Sequence, residues 1–338
     1  MLKQIVNKFI KIVTGILFLP NFFYFIYSYL RFLKNPKRNH FVKAGSVAFR
    51  TNGKSLDIAH FIGKYKYRKF NNKFLGNSDL LGLTKEDFFQ SRDSLRKHGY
   101  WIAPKPIQVS KLDQFRDAAI DNLCLVKGID SKNINVEVLA MNWNQDMVNL
   151  DTQWVSEQEL TLEFATSPEI LRIAAEYLGV TPVLNYPESW FSFPVEKIEK
   201  ESAKNWHWDC DGIKWLKVFV YLNDVTMVNG PHAFVSGSHR GWKINNKSSR
   251  VSEQEIIAAY GEYSIKSFTA PRGTVIFEDT RGFHKGTPLL SGHRLVLQLQ
   301  FNFDEFGLIV SKIKLPKEYS EKLNNYGRVL SFLSSNTD

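Results

Sequence analysis

The segment NWHWDCDG (205–212) places two potential metal ligands, His207 and Asp209, two residues apart in a chain with only eight histidines. Side chains two residues apart on a strand lie on the same side, so this imidazole and this carboxylate can approach one ion. Two ligands do not hold a metal firmly. A third candidate, His284, follows GTVIFED (273–279), which has the composition of a strand. Two imidazoles and one carboxylate suit Fe(II) and leave three octahedral positions open.

An anion-binding residue is predicted ten residues after His284, where Arg294 begins the run RLVLQLQF. Arg294, Gln298 and Gln300 share one face of an otherwise apolar strand, and burying a guanidinium is costly unless an anion and hydrogen bonds compensate. The planar guanidinium binds a carboxylate through two parallel hydrogen bonds. A 2-oxo acid could therefore take two of the open metal positions and place its distal carboxylate on Arg294. Dioxygen could then take the third position.

Other interpretations of these residues remain open. A surface strand with alternating polar residues could also contain His207 and Asp209, with the neighbouring tryptophans buried on its other side. His232 and His239 are competing metal ligands, but they lie in a Gly-rich connection where histidine more often satisfies the backbone groups of a turn. Lys217 and Thr287 could each line the co-substrate pocket or belong to the core or rim.

The elements that must position these residues change in character along the chain. Residues 83–107 predict a helix followed by a strand, and 110–128 predict a helix with Ser110 as its N-cap and Gly128 as its end. Residues 167–180 predict another helix, capped by Ser167 and ended by Gly179. From Pro182 onward, short β-branched and aromatic runs alternate with turn signals. Helices followed by many strands indicate an α+β chain whose C-terminal half is a sandwich or barrel.

The chain resembles the phytanoyl-CoA dioxygenase-like family of Fe(II)/2-oxoglutarate-dependent oxygenases over roughly residues 80–305. The likeness rests on WHWD (206–209), LKVFVYLNDVTMVNGPHAFVSGSHR (216–240), GTVIFEDTRGFHKGTP (273–288) and GHRLVLQLQF (292–301). It implies an α+β fold with a double-stranded β-helix (jelly-roll, cupin-like) core and flanking N-terminal helices.

The resemblance also implies the site and the reaction. His207, Asp209 and His284 would hold Fe(II) as the catalytic residues, and Arg294 would bind 2-oxoglutarate, with Thr287 and Lys217 as further candidates near it. Halogenating relatives have a small residue in place of the carboxylate, so Asp209 suggests hydroxylation with O2, releasing succinate and CO2. The alternative is a non-catalytic jelly-roll protein that binds metal or acts as a scaffold at a membrane surface. The substrate class, small or lipid-like, and the oligomeric state stay open.

Positive charge is concentrated at the N-terminus. Residues 1–75 carry fifteen Lys or Arg and one acid, a net +14, whereas the remaining residues sum to −4. Inside this basic region, residues 12–30 are nineteen uncharged residues rich in Phe and Tyr, which is just long enough to span a bilayer but is interrupted by Pro20 and Asn21. This composition favours a membrane surface over nucleic acid. A buried N-terminal helix of the fold is the alternative.

These observations predict an organisation in four parts. Residues 1–45 form a membrane-associating segment, 46–80 a basic connection, 81–310 the jelly-roll domain, and 311–338 a C-terminal helix and tail. The bases that follow the apolar stretch outnumber those before it, so the main body is expected in the cytoplasm, either free or attached to the cytoplasmic face of a membrane. Two isolated cysteines fit a reducing compartment.

Overall fold

The computed structural model describes ten stretches of the chain: 20–35, 47–48, 50–67, 80–121, 146–185, 187–198, 202–244, 250–306, 313–314 and 333–334. The helices in these stretches are α1 (20–34), α2 (Lys54–Lys66), α3 (Lys85–His98), α4 (Val109–Asp121), α5 (Thr152–Glu157), α6 (Glu159–Thr166), α7 (Pro168–Leu178) and α8 (Glu253–Tyr260). The first seven strands are β1 (Tyr100–Ile102), β2 (Met147–Asn149), β3 (Val183–Leu184), β4 (Glu188–Ser192), β5 (Trp206–His207), β6 (Trp215–Tyr221) and β7 (His232–Val235). The others are β8 (Arg250–Val251), β9 (Ile265–Phe268), β10 (Val275–Glu278), β11 (His284–Gly286), β12 (Arg294–Asn302), β13 (Ile313–Lys314) and β14 (Leu333–Ser334).

Two antiparallel sheets form the centre of the molecule. The larger sheet has the order β1-β10-β6-β12-β4-β2, with β3 also paired to β12, and the smaller has the order β8-β5-β11-β7-β9. Eight of these strands, β4 to β7 and β9 to β12, give four-stranded halves ordered 4-12-6-10 and 5-11-7-9. Successive strands alternate between the two halves except from β7 to β9. This is the double-stranded β-helix, or jelly roll, that the family resemblance implies.

Strand β12 is buried on both faces, which explains its sequence. It pairs with β4 on one side and β6 on the other, while helix α6 packs on β12 and α7 packs on β6. Its leucines are fully buried, as expected for a strand covered by helices. Arg294 and Gln298 are buried too, but they line a cavity inside the barrel. One face of this strand therefore contributes to the core and the other to the site.

The predicted helix boundaries are confirmed where capping signals are complete. Helix α7 begins after Ser167, whose hydroxyl accepts a hydrogen bond from the Ile170 N–H, and ends at Gly179 in the left-handed conformation. Helix α3 and strand β1 occupy the helix and strand predicted within 83–107. The prediction that Ser110 caps the next helix is wrong, because helix α4 starts at Val109 and contains Ser110. Its predicted end at Gly128 lies outside the described residues.

Helix α1 packs against the barrel. Phe25, Tyr29 and Phe32 are buried, and the Tyr29 hydroxyl donates to Asp304 Oδ2 at 2.7 Å. The Phe306 ring contacts all three of these side chains. The described part of the N-terminal apolar stretch thus contributes to the core, which was the alternative left open by the sequence. None of the described helices is both long and apolar enough to cross a bilayer.

The boundaries of the four predicted parts of the chain stay predictions. Of the C-terminal part, the structure describes β13 and β14, which form a parallel pair. The helix predicted there falls on residues outside the described ranges. Cys124 lies outside them as well. Cys210 is half-buried against the core.

Candidate metal centre

Two of the three predicted metal ligands lie on neighbouring strands of the smaller sheet, and the third follows one of these strands. His207 ends strand β5 and His284 begins strand β11, and the two residues are direct partners in the antiparallel pairing of these strands. Cross-strand partners hold their side chains close together, and the centroids of the two imidazole rings are 4.2 Å apart. Asp209 follows His207 by two residues, and its backbone N–H donates to Thr280 O at 2.8 Å.

The strand argument for Asp209 needs correction. Strand β5 contains only Trp206 and His207, so Asp209 is not aligned with His207 by the alternation of one strand. It is brought to the site by the hydrogen bond to Thr280, in the segment between β10 and β11. The prediction that the flanking tryptophans are buried is confirmed, since Trp206 and Trp208 are both nearly inaccessible.

The ligand atoms converge on one point. His207, Asp209 and His284 each offer one ligand atom, and these atoms all lie within 4.8 Å of one another. Asp209 Oδ2 lies 3.4 Å from His284 Nε2, and Asp209 Oδ1 lies 3.8 Å from His207 Nε2. Two imidazoles and one carboxylate grouped in this way form the three-residue set that suits Fe(II) with open positions.

Backbone carbonyls orient both imidazoles. His207 Nδ1 lies 2.8 Å from Asn205 O, and His284 Nδ1 lies 3.0 Å from Gly282 O. A carbonyl oxygen can only accept, so Nδ1 is the protonated nitrogen of each ring and donates. The Nε2 atoms are then left free to bind a metal, in the orientation that ligating histidines commonly have.

Burial and nearby charges set the protonation of the ligands. Burial, followed by the charge of His284, lowers the pKa of His207 to about 3, so its imidazole is neutral at pH 7. Burial by itself would raise the pKa of the Asp209 carboxyl, but the Lys217 ammonium and His284 outweigh it and hold that pKa well below its ordinary value. A neutral imidazole and an ionised carboxylate are the forms that bind a metal.

His284 differs from His207 in its charge balance. Burial alone would lower its pKa, but the carboxylate of Asp209 outweighs that effect and raises the pKa of His284. With no cation between them, Asp209 therefore favours the protonated form of His284. A metal ion at this position would take the place of that proton.

Lys217 contacts the metal centre directly, whereas Thr287 does not border the cavity. Lys217 Nζ lies 2.8 Å from Asp209 Oδ2 and 3.1 Å from Asp211 Oδ2, so the ammonium binds the carboxylate of a metal ligand. Thr287 is not among the described residues that line the cavity. Its backbone N–H donates to Pro231 O. A co-substrate role for either side chain stays a prediction.

Arg294 is buried and has unused hydrogen-bonding capacity. Its side chain is 4% exposed, and Nε and Nη1 have no hydrogen-bond partner among the described residues. Nη2 donates weakly to Ser192 Oγ at 3.4 Å. Two unpartnered donors on a buried guanidinium are costly unless a ligand accepts from them. A carboxylate of a 2-oxo acid is such an acceptor, so the residues present fit both the metal and an anionic co-substrate.

The triad and Arg294 open into one cavity of about 420 Å³. Its wall includes residues that the sequence did not single out, namely Asp146, Met147, Glu188, Trp190, Ser192, Lys204, Arg250 and Gly286. Gly286 is the most informative of these, because a Cβ at this position would lie 2.7 Å from Arg294 Nη2. Its position two residues after His284, on the same strand face, is the signal that could have identified it.

His232 and His239 differ in their surroundings. His232 lines the cavity, and its Nε2 lies 2.9 Å from the carboxylate of the buried Glu278. Burial raises the pKa of Glu278 to about 8. His239 Nε2 lies 3.2 Å from Arg96 O, which agrees with the structural role predicted for it. Neither histidine belongs to the group of metal-binding residues found in the described part of the chain.

The chain is similar to one known protein family and to several solved structures. The model of the family described as phytanoyl-CoA dioxygenase (PhyH) matches residues 95–295. No curated protein sequence matches the chain. Among solved structures, similarity extends to EctD from S. alaskensis with 2-oxoglutarate and 5-hydroxyectoine, at 17% identity and a TM-score of 0.46 over 70% of this chain and 82% of that one. AviO1 from Streptomyces viridochromogenes has 14% identity and a TM-score of 0.44 over 65% and 96%. The non-haem alpha-ketoglutarate-dependent carbocyclase SnoK has 17% identity and a TM-score of 0.44 over 67% and 86%.

The family match covers more than half of the chain and includes His207, Asp209, His284 and Arg294. The sequence resemblance is thereby confirmed: the chain belongs to the phytanoyl-CoA dioxygenase (PhyH) family.

Proposed function

We propose that the protein is an Fe(II)- and 2-oxoglutarate-dependent dioxygenase that hydroxylates a small or lipid-like organic substrate, with release of succinate and CO2. Family membership supports an enzyme of the Fe(II)/2-oxoglutarate-dependent type. The observation that carries the proposal is the convergence of His207, Asp209 and His284 beside a buried arginine with two unpartnered nitrogen atoms.

The roles of the residues follow from their positions. His207, Asp209 and His284 would hold Fe(II), which when bound supplies the redox chemistry that couples O2 to 2-oxoglutarate and the substrate. Arg294 would bind the distal carboxylate of 2-oxoglutarate through its free Nε and Nη1 donors, and Ser192 Oγ lies close enough to share in binding the same group. Asp209 occupies the position where halogenating relatives have a small residue, which supports hydroxylation.

Lys217 orients the Asp209 carboxylate. The ammonium binds Oδ2, so Oδ1 is the oxygen of Asp209 that remains free of Lys217. Asp211 binds the same ammonium, so two carboxylates fix the position of Lys217 beside the three metal ligands. Its positive charge there offsets the negative charge of the Asp209 carboxylate.

The cavity limits the size of the substrate and indicates its character. A volume of about 420 Å³ is within the range of pockets that bind small molecules, and 2-oxoglutarate itself would fill part of it. Trp190 and Phe219 provide apolar wall, while Glu188 and Lys204 provide charge. Gln298 donates to Glu188 Oε2 at 2.8 Å, which holds that carboxylate in place. This mixture favours a substrate with both an apolar part and polar groups.

Oxygen uptake and succinate release, measured over a library of metabolites with Fe(II) and labelled 2-oxoglutarate, test the function. We expect one or more compounds to stimulate succinate formation with one equivalent of hydroxylated product. Arg294→Lys should raise the 2-oxoglutarate concentration needed for half-maximal rate by about 10-fold or more. The lysine ammonium keeps the positive charge but cannot form the bidentate hydrogen bonds of the guanidinium. Arg272→Lys changes an arginine that pairs with Asp113 away from the cavity, and should leave this value unchanged.

Two results would contradict the proposal. If no condition gives succinate above the metal-free background although the protein binds Fe(II), the non-catalytic metal-binding interpretation is correct. If Arg294→Lys and Arg272→Lys behave alike, Arg294 does not bind the co-substrate.

A further inference from the structure

Helix α1 has two apolar faces, and the barrel covers one of them. The inward face is Phe25, Tyr29 and Phe32, each at most 3% exposed. The outward side chains, here called the outer aromatic face, are Phe23, Tyr24, Tyr27 and Leu30, which are 63%, 49%, 56% and 42% exposed. A surface helix of a globular protein normally places polar residues on its outer side. Four large apolar residues exposed within about two turns are typical of an interaction site.

Basic residues border this face. Arg31 and Lys34 continue it toward the C-terminal end of the helix and are both exposed. The Arg31 guanidinium lies 5.8 Å from the centre of the Tyr27 ring. Residues 20–35 contain no acid, and residues 1–75 carry a net charge of +14. Any partner that covers the outer aromatic face must therefore offer an apolar surface to the aromatic rings and negative charge to the bordering bases.

We propose that the outer aromatic face docks on the surface of an anionic lipid bilayer, with α1 lying parallel to the membrane plane. Tyrosine, tryptophan and other aromatic residues are favoured at the boundary between headgroups and acyl chains. A helix with an apolar face and flanking Lys or Arg lies in this boundary, and anionic headgroups attract the bases. The inward face stays on the barrel, so docking requires no rearrangement of the fold.

The docking surface and the cavity lie at different ends of β12. Helix α1 packs on Asp304 and Phe306, which lie just beyond the last residue of this strand. Arg294 is its first residue. Eight steps of a strand separate the two ends by about 26 Å. Membrane docking therefore goes beyond the proposed catalytic function and is separable from it: it places the enzyme at a surface without occupying the cavity.

Co-sedimentation of the full-length protein with vesicles tests the proposal. The vesicles contain phosphatidylcholine alone or with about one third phosphatidylserine. We expect binding to the anionic vesicles that weakens several-fold between low and high salt, because the charges act through a screened aqueous layer. The triple variant Phe23→Ser, Tyr27→Ser, Leu30→Ser should lower the apparent partition constant by about 10-fold or more, since it removes the apolar part of the interaction.

A matched variant controls for the loss of exposed apolar surface elsewhere. Phe89→Ser, Tyr263→Ser, Leu290→Ser removes the same three residue types at positions that are 51%, 94% and 76% exposed. It should bind vesicles as the parent does. If the first triple variant does not fold, as judged by thermal unfolding, the exposed pair Arg31→Glu, Lys34→Glu provides the same test through charge and should abolish preference for anionic vesicles.

Several outcomes would overturn the proposal. The parent could fail to bind vesicles, or both triple variants could bind equally, which would mean that the outer aromatic face is not the docking surface. Sedimentation velocity could instead show a dimer that the first triple variant dissociates, so that the occupant is a second copy of this chain. Succinate formation is measured on all variants, because unchanged turnover in variants that no longer bind separates docking from the catalytic function.

Discussion

Each ligand of the metal centre is oriented by a group that a search for ligand residues would not find. The backbone oxygens of Asn205 and Gly282 orient the two imidazoles, and Lys217 holds one oxygen of Asp209. Side-chain substitution does not remove a backbone carbonyl, so these two hydrogen bonds cannot be deleted directly. The direct test at this scale therefore removes an imidazole.

His207→Ala and His284→Ala should each weaken Fe(II) binding by at least about 100-fold, because two remaining ligands do not enclose an ion; loss of supporting partners alone costs about 10- to 100-fold. Anaerobic equilibrium titration with Fe(II), or with Mn(II) as a redox-stable probe, measures the dissociation constant without reference to activity. His98→Asn is the control, since His98 lies at the end of α3 and contacts Ser236. Parent-like metal affinity in either Ala variant would show that the triad is not the metal site.

Gly286 makes room for the arginine of the site. In Gly286→Ala the new methyl group would lie 2.7 Å from Arg294 Nη2, which is shorter than a van der Waals contact. The guanidinium is the end of a flexible side chain, so the arginine would move away from the methyl group. We therefore expect a several-fold increase in the 2-oxoglutarate dissociation constant with little change in Fe(II) affinity or melting temperature. Isothermal titration in the presence of Mn(II) measures the first value.

A double-mutant cycle shows whether this effect acts through the guanidinium. On an Arg294→Lys background, Gly286→Ala should add little further loss, since the group it displaces is already gone. Full additivity of the two substitutions would mean that Gly286 acts by another route, such as a change in β11.

At the scale of elements, the sequence predicts what local chemistry determines. Ser167, Pro168 and Gly179 form a complete set of capping signals, and helix α7 has the predicted bounds. Ser110 has no such set and lies inside a helix instead. The pairing of His207 with His284 brings together residues 77 positions apart. Their residue types suggested that the two side chains share a metal site, but their strand pairing and the two-residue length of β5 depend on tertiary contacts that no local pattern contains. Asp209 therefore lies beside the two histidines for a different geometric reason from the one that the sequence suggested.

Helix α2 is tied to the rest of the fold by a histidine that must stay neutral. His60 Nε2 donates to Leu178 O at 2.9 Å, and its ring packs edge-on against Phe303 at 4.6 Å between centroids. Burial, followed by the charge of Lys214, lowers the pKa of His60 to about 3. The unfolded chain has the ordinary value near 6.5, so it takes up this proton first as the pH falls. The contribution of neutral His60 is complete above pH 6.5 and is lost progressively toward pH 3.

His60→Gln should make the free energy of unfolding less dependent on pH between 7 and 5, by at most about 1.4 kcal/mol per pH unit, which corresponds to one proton. Glutamine keeps an N–H donor for Leu178 O and does not titrate. Urea unfolding at a series of pH values measures the slope. Because other buried histidines also titrate, His207 and His239 with the same sign and His284 with the opposite sign, the comparison is between the two slopes. Identical slopes would contradict the assignment.

At the scale of the whole molecule, composition does not show how the N-terminal part of the chain packs. Charge and hydrophobicity separate residues 1–45 from the rest, yet Tyr29 is fully buried and bonded to Asp304, 275 residues later in the chain. Composition reports which residues are apolar but not which face of a helix is covered. One helix can therefore contribute both to the core and to the proposed docking surface.

Two tyrosines of α1 separate these roles. Tyr29→Ala removes a buried ring that contacts Phe32 and Phe306, and should lower the free energy of unfolding of the whole protein by about 3 kcal/mol or more. Tyr27→Ala changes a side chain that is 56% exposed on the same helix, and should change stability by about 0.5 kcal/mol or less. Chemical unfolding followed by tryptophan fluorescence measures both, since all eight tryptophans lie between residues 101 and 242, outside α1. If α1 were independent of the jelly roll, Tyr29→Ala would leave that transition where it is in the parent.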